Sequence, residues 1–368
     1  VTAAMSEDDK ARPQEQPFRI QPMPNWRENA YLDLFYGHLD GIEAASGTLP
    51  TWPPEALRTA MAQIDALHFH WPEAIWRGPS GRVTAKSLID FTRLLTETRR
   101  MKRPIFWTVH NLRPHEGAAT GDWLGGLLLG RFADLLICHD PQTAKKARAR
   151  FHPRGEVVVM PHGNYGNAFP PSRPADGVRR ELGLDPDRPV LSIIGLLRGY
   201  KGFDVALAAL RDLPGVQLLI AGTPHETFDL GALKAAAAAQ SDVHIVARRL
   251  SEQELSDYHG ASDLVLLPYR NITGSGALLT ALTLHRAVVT SDLPFFSWML
   301  EGHPAAGRTA RAGTLAETIH AMLNVPADER EAAAGRLASR YDWSKCAASV
   351  APALLRHLAG THHRVIRE

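Results

Sequence analysis

The sequence predicts an α/β protein built from two parallel-sheet domains, and three observations carry that prediction. Apolar runs alternate with amphipathic segments through the N-terminal half, as strands joined by crossover helices do. The alternation resumes after a stretch from Gly166 to Arg188 that is rich in Pro, Gly, Asp and Arg, a composition that marks a connection. The chain's 368 residues suffice for two domains with a core each. The expected division is a first domain over 17–165, a linker over 166–187, a second domain over 188–350, and a final helix and tail over 351–368.

The elements follow in order. Phe18 to Pro24 reads as a first strand, weakened by its prolines, and leads into an irregular loop through Trp26 and Asn29. Ala30 to about Ala45 has helical periodicity. Ile64 to His70 is a strand and Ala85 to Thr98 a helix; Pro104 to His110 is the clearest strand of this half. The runs Ala133 to His139 and Glu156 to Met160 are strands, separated by a basic helix from Ala144 to Phe151. In the second half, strands are expected near 190–195, 216–221, 243–247, 263–268 and 287–291. A helix is expected from about Phe203 to Leu210, an alanine-rich one at 235–239, and mainly helix after Asp292. Tyr341, Asp342 and Trp343 mark the start of a last helix.

Composition narrows the function. A hydrophobic share of 45% and a charged share of 22% are those of an ordinary globular protein. The net charge of +2 does not suit wholesale nucleic-acid binding. Cys138 and Cys346 lie far apart and argue for a reducing compartment without a disulfide framework. No apolar run reaches the roughly 20 residues that span a bilayer, and the first residues are polar and acidic, unlike a secretory signal. The expectation is a cytoplasmic protein with disordered ends, its true start at Met5.

The residues that point to chemistry cluster in the second half. Asp263 to Tyr269 is an apolar strand, followed by a turn holding Gly274, Ser275 and Gly276 and then by a helix. Glycines let the backbone approach a ligand closely, and a helix N-terminus presents unpaired N–H groups to an anion. A phosphate or diphosphate fits such a turn. The strand ending at Gly195 is followed by a loop with Arg198, Lys201 and Gly202, at the carboxyl edge where ligands collect in open parallel sheets.

This combination resembles the nucleotide-sugar-binding half of GT-B glycosyltransferases, most closely those like family 4. Those proteins show a G-R-L-x-x-x-K-G loop, an E-x7-E motif and a G-x-P-V-V-A-T-D-like strand. Here Lys201-Gly202 and Ala287 to Asp292 match. The arginine is displaced from the position of Leu196 to Arg198. Both acidic positions are lost, one falling on Thr280 and the other near Ile272 or Thr273. The resemblance implies two Rossmann-like domains facing across a cleft. It also implies a donor site formed by Arg198, Lys201, Gly274, Ser275, Gly276 and Thr280, with the two cations neutralising the departing diphosphate. In the family the lost glutamates contact the donor's ribose and sugar, so the donor and the stereochemical course stay open.

On the acceptor side, His110 ends the strand Trp107-Thr-Val-His and resembles the family's T-V-H strand end, whose histidine contacts the donor sugar. Asn111, His115 and Glu116 extend the same loop. Pro161 to Tyr165 resembles the segment at the domain junction and would place His162 or Asn164 on the cleft wall, a tight turn being the alternative. Trp26 and Asn29 would stand in the acceptor loop, with Trp26 as a stacking platform for sugar. His68 and His70 share one face of a strand, yet no zinc-type spacing is present, so no metal is expected. Asp185-Pro-Asp187 reads as a turn.

The expected activity is transfer of a sugar from a nucleoside diphosphate-sugar to a glycan hydroxyl, lipid-linked in the family's exopolysaccharide-building members, with no cofactor. A nucleotide-sugar 2-epimerase-like enzyme and a non-catalytic donor-binding or scaffolding subunit are the alternatives. Two basic clusters, Arg99 to Arg103 and Lys145 to Arg150, would hold the acceptor half against an anionic membrane surface at the inner face of the cell membrane.

Overall fold

Two six-stranded sheets, all parallel, account for the strands among the described residues. The computed structural model describes residues 16–26, 30–49, 54–78, 81–113, 120–166 and 168–365. The first sheet contains β1 (Phe18–Met23), β2 (Ile42–Ala44), β3 (Ala66–Phe69), β4 (Ile105–Val109), β5 (Leu135–Cys138) and β6 (Glu156–Val159), in the order β2-β1-β3-β4-β5-β6. The second contains β7 (Val190–Ile194), β8 (Gln217–Ala221), β9 (Val243–Val246), β10 (Leu264–Leu267), β11 (Val288–Ser291) and β12 (Gly307–Ala310), in the order β12-β11-β10-β7-β8-β9. Strand order reverses between β1 and β3 in the first sheet and between β7 and β10 in the second. Those reversals open crevices at the carboxyl ends of the strands, where ligands bind in such sheets.

Continuous apolar runs make the central strands because helices cover both faces of each sheet. Every residue of β3, β4, β5, β7, β8 and β10 is buried. The expected strands therefore appear with shortened ends, and Cys138 and Cys346 are free, buried thiols.

The structure departs from the sequence reading at several places. The helix expected over Ala30 to Ala45 covers only Ala30–Tyr36, and the edge strand β2 follows. Its apolar spacing runs on through Leu39, but Gly41 at φ +71° turns the chain into the sheet. The helices Pro54–Met61 and Thr120–Phe132 went unread, as did β12, whose sequence Gly-Arg-Thr-Ala carries no apolar run. Within the stretch 166–187, the helix Ala175–Glu181 and the turn after it pack Val178 and Leu184 against Val190, Ile194 and Leu219 of the second sheet. Its anchoring is also ionic: Arg173 meets Asp257 at 2.7 Å and Arg179 meets Asp263 at 2.9 Å.

The last helix, Trp343–Val365, starts where Trp343 predicted and returns to the first sheet. One continuous cluster of buried side chains joins Ile20, Phe106 and Leu135 of the first sheet to Trp343, Leu354 and Leu358, and thence to Val265, Leu278 and Val288. Arg356 adds an ion pair to Glu156 of β6 at 3.0 Å. The two sheets thus share a core, and the cleft opens between their carboxyl edges.

Candidate active site

The second sheet's crevice is built by two loops. After β7 the chain passes Gly195 at φ +104° and forms a single 3-10 turn, Gly199–Lys201, ending at Gly202. Gly202 has φ +70°, and a Cβ there would fall 2.0 Å from the Pro268 carbonyl oxygen, so only glycine fits. This close crossing of the two loops turns Lys201 inward, where it is 4% exposed. Its Nζ donates to the Ile194 carbonyl at 3.3 Å and stands 5.7 Å from the Tyr269 ring centre. Burial, and then the charge of Arg198, pull the Lys201 ammonium down to about 7.

After β10, Ser275 caps the helix Gly276–Thr283 by accepting the Leu278 N–H at 3.1 Å. The N–H groups at its first residues stay available to an anion. Lys201, Gly274, Ser275, Gly276 and Thr280 line one cavity of about 390 Å³, together with Tyr165, Tyr200, His259 and Tyr269. Every expected donor residue except Arg198 lines this cavity. Arg198 is partly buried and acts on Lys201 through its charge. Nothing crowds a Cβ at Gly274, whereas at Gly276 it would press on the Tyr165 hydroxyl at 2.8 Å. The two glycines therefore have different reasons: one keeps space open, the other makes room for a side chain.

The carboxyl edge of the first sheet carries a row of rings. Trp26, after β1, stacks on Trp71, after β3, at 5.4 Å; Trp71 stacks on His110, after β4, at 4.6 Å and 11°. The row follows the strand reversal of the first sheet. Histidines continue it: His139 follows β5 with its centre 5.2 Å from His110, and His162 follows β6 at 5.2 Å from His139. Tyr31 stands edge-on to His70, His110, His139, His162 and Trp343. His70 Nδ1 and His110 Nε2 share a hydrogen bond of 3.3 Å.

Desolvation keeps these rings neutral. It holds His68 and His162 down at about 3 and His139 at about 4, and takes His70 and His110 well below the usual imidazole range. Two tautomers are fixed by carbonyl partners, which can only accept. His139 Nδ1–H donates to Met160 O at 3.0 Å and His162 Nδ1–H to Gly163 O at 2.7 Å. Each Nε2 therefore carries a lone pair, that of His139 being buried without a hydrogen-bond partner among the described residues. Among the described residues, no group of three or more His, Cys, Asp or Glu side chains is arranged to hold a metal ion.

The remaining expected residues divide. Asn111 lines a small pocket with His110, Trp71 and Glu73. Asn29, His115 and Glu116 lie outside the described residues. Asn164 is a correction to the cleft-wall reading: its amide donates to Ala338 O at 2.9 Å and accepts Gly166 N–H at 2.9 Å. With its backbone N–H on Tyr341 O at 2.7 Å, it fastens the junction instead of facing the cleft. Asp185-Pro-Asp187 is a turn, as read, with Asp187 N–H on Asp185 Oδ1 at 3.0 Å. Thr273, near a lost acidic position, joins the two halves by accepting Leu112 N–H at 3.3 Å.

Sequence reasoning missed Trp71 and Tyr31 and weighed His70 only as a metal signal. A clue was present, since the apolar runs of β3, β4, β5 and β6 each lead into a histidine. Tyr31 offered none, because helical spacing marks it equally well as core.

The two basic clusters differ in how fully they are paired. Arg103 precedes β4 at the amino edge of the sheet, away from the cleft. Its group is also neutralised by pairing: Arg99 with Asp134 at 2.7 Å, Arg100 with Glu97 at 2.5 Å and Arg103 with Asp65 at 3.4 Å. Lys145 and Lys146 are exposed on the helix Pro141–Phe151, beside the helix that exposes Trp123 and Leu124. Among the described residues, no helix is long and apolar enough to cross a membrane.

Comparison with known proteins agrees with this geometry. Residues 188–327 match the family model described as Glycosyl transferases group 1. A GDP-mannose:glycolipid 4-beta-D-mannosyltransferase of Xanthomonas campestris pv. campestris is 30% identical over 269 residues, covering 72% of this chain and 70% of that protein. A D-inositol 3-phosphate glycosyltransferase of Mycolicibacterium paratuberculosis is 27% identical over 258 residues, covering 64% of this chain and 54% of that protein. Among solved structures, Anabaena HepE in complex with UDP and glucose superposes with a TM-score of 0.69 at 17% identity, over 92% of this chain and 100% of that one. The sucrose-phosphate synthase of Thermosynechococcus elongatus superposes with a TM-score of 0.65 at 17% identity, over 83% of this chain and 77% of that one.

Proposed function

The chain belongs to the group 1 glycosyltransferases of GT-B fold, enzymes that use nucleotide-sugar donors, and we propose that it transfers a hexose from a nucleoside diphosphate-sugar to a lipid-linked glycan. The observation that carries this reading is the cavity after β7 and β10, where Lys201 faces the N–H groups of a helix start. That pairing suits a diphosphate. Charge developing on it as the glycosidic bond breaks would be met by Lys201, Arg198 and the helix dipole, in place before reaction. A metal-independent course follows from this assignment, and activity is expected to survive exhaustive chelation.

His110 is the residue we assign to the sugar, held by stacking on Trp71 and by its bond to His70. Trp26 and Trp71 offer apolar faces to acceptor rings. The mannosyltransferase similarity favours GDP-mannose as donor and a glycolipid as acceptor. Attachment to an anionic membrane is proposed through Lys145 and Lys146, with Trp123 and Leu124 beside them; the Arg99 to Arg103 cluster is too fully paired to contribute.

A thermal-shift screen over GDP, UDP, ADP and their sugars, followed by turnover with a lipid-linked acceptor, tests the proposal. A ligand that binds only the folded state raises stability as RT ln(1 + [L]/Kd). Stabilisation by one nucleoside diphosphate, and transfer from its sugar, is expected. Stabilisation by none of them would refute it.

A further inference from the structure

Tyr165 belongs to the connection between the sheets, yet it lines the donor cavity. Its backbone N–H is held by Thr283 Oγ1 at 3.1 Å, at the far end of the helix whose start forms the anion site. Its ring packs against Phe169 at 5.6 Å and His162 at 6.1 Å, so it is fixed from both sides. Its hydroxyl lies against Gly276, the first residue of that helix, where a Cβ would sit only 2.8 Å away. No described residue takes a hydrogen bond from this hydroxyl. Burial pushes its pKa up to about 12, so it remains an O–H donor at neutral pH.

We propose that Tyr165 is a further ligand of the donor, its hydroxyl donating to a diphosphate oxygen held at the N–H groups of Gly276 and Ala277. The inference rests on the reading of this cavity as the diphosphate site. It gives the cavity a contact from the connection in addition to those from the second sheet's own loops. The neighbouring Asn164 is bonded to Ala338 and Tyr341, so a diphosphate seated on Tyr165 would tie the junction, and His162 with it, to donor occupancy. It also explains Gly276, since a larger residue would displace the hydroxyl.

The test is calorimetry of GDP and UDP, with guanosine and uridine as phosphate-free controls, on wild type, Tyr165→Phe and Lys201→Met. Tyr165→Phe should weaken the preferred diphosphate roughly tenfold, leave its nucleoside unchanged and leave the unliganded melting temperature unchanged. Gly276→Ala should weaken the diphosphate in the wild type, and should cost much less on top of Tyr165→Phe, because the clash is then gone. If Lys201→Met loses the diphosphate while Tyr165→Phe binds it like wild type, the tyrosine assignment falls and the donor site stands. If wild type binds neither diphosphate, both fall.

Discussion

The two sheets present opposite chemistry to the cleft they share. The second offers charge and polar backbone: Lys201, Arg198 and the start of the helix Gly276–Thr283. The first offers neutral rings: Trp26, Trp71, His110, His139 and His162, in a row along its strand ends. A diphosphate that gains charge as it leaves needs the former. In the proposed scheme a sugar, with apolar faces and hydroxyl edges, would use the latter, because rings can stack on its faces and an accessible imidazole lone pair can accept from a hydroxyl. The comparison teaches that one architecture, used twice, carries different chemistry on each set of strand ends, which is the basis of the division of labour proposed above.

The comparison breaks most severely at His110. His110→Ala should lower turnover about a hundredfold through misplacement of the sugar, with nucleoside diphosphate affinity within about twofold of wild type. Steady-state kinetics beside calorimetry checks this. Equal losses in turnover and affinity would mean that the ring serves the donor cavity after all.

Next in size is Lys201. Its replacement by Met removes a charge-assisted contact and should cost about 1.5–3 kcal/mol of diphosphate binding. The same change should stabilise the unliganded protein. The folded-state pKa, about 7, lies below the ordinary lysine value of 10.5. The unfolded chain therefore binds more protons between those values, and the lysine's unfavourable contribution is relieved only as pH rises through that window. A higher melting temperature for the unliganded variant at neutral pH is expected. A lower one would show that the buried ammonium is well accommodated.

A smaller effect is expected at the joint between the halves. Thr273→Ala removes the acceptor for Leu112 N–H, which should cost about 1 kcal/mol and loosen the register of His110 against the donor. Hydrogen exchange at Leu112 should rise, with a modest fall in turnover. The smallest change concerns the membrane. Lys145→Gln with Lys146→Gln should weaken binding to anionic vesicles by about 1 kcal/mol per residue without altering turnover on a soluble acceptor. Equal binding to neutral vesicles would remove the electrostatic assignment.

The same contrast explains what the sequence made legible. The cavity proposed for the donor was readable because its shape depends on backbone form. Gly202 and Gly276 each answer a steric demand, Ser275 caps a helix, and Lys201 falls in a loop of known consequence, so local motifs suffice. The ring cluster proposed for the sugar is assembled from five strand ends and a helix, and its contacts are long-range. His70 and His110 are bonded across neighbouring strands, and Tyr31 reaches four histidines. Each of these residues alone reads as core. Among the elements, buried central strands were plain, while β12 and the short β2 were not, because edge strands need no continuous apolar run. Asn164 misled because a polar residue in a tight junction is as useful for fastening backbone as for meeting substrate.

The most direct test of the account is calorimetric titration of the preferred nucleoside diphosphate into wild type and Lys201→Met, between about pH 6 and about pH 8.5. With Lys201 titrating at about 7 in the free protein, wild-type affinity should be highest at the acid end. It should fall as the pH rises past that value, with proton uptake on binding, while Lys201→Met binds weakly and loses that proton-linked component. Wild-type affinity and proton linkage that the variant reproduces unchanged would contradict the placement of the diphosphate beside Lys201.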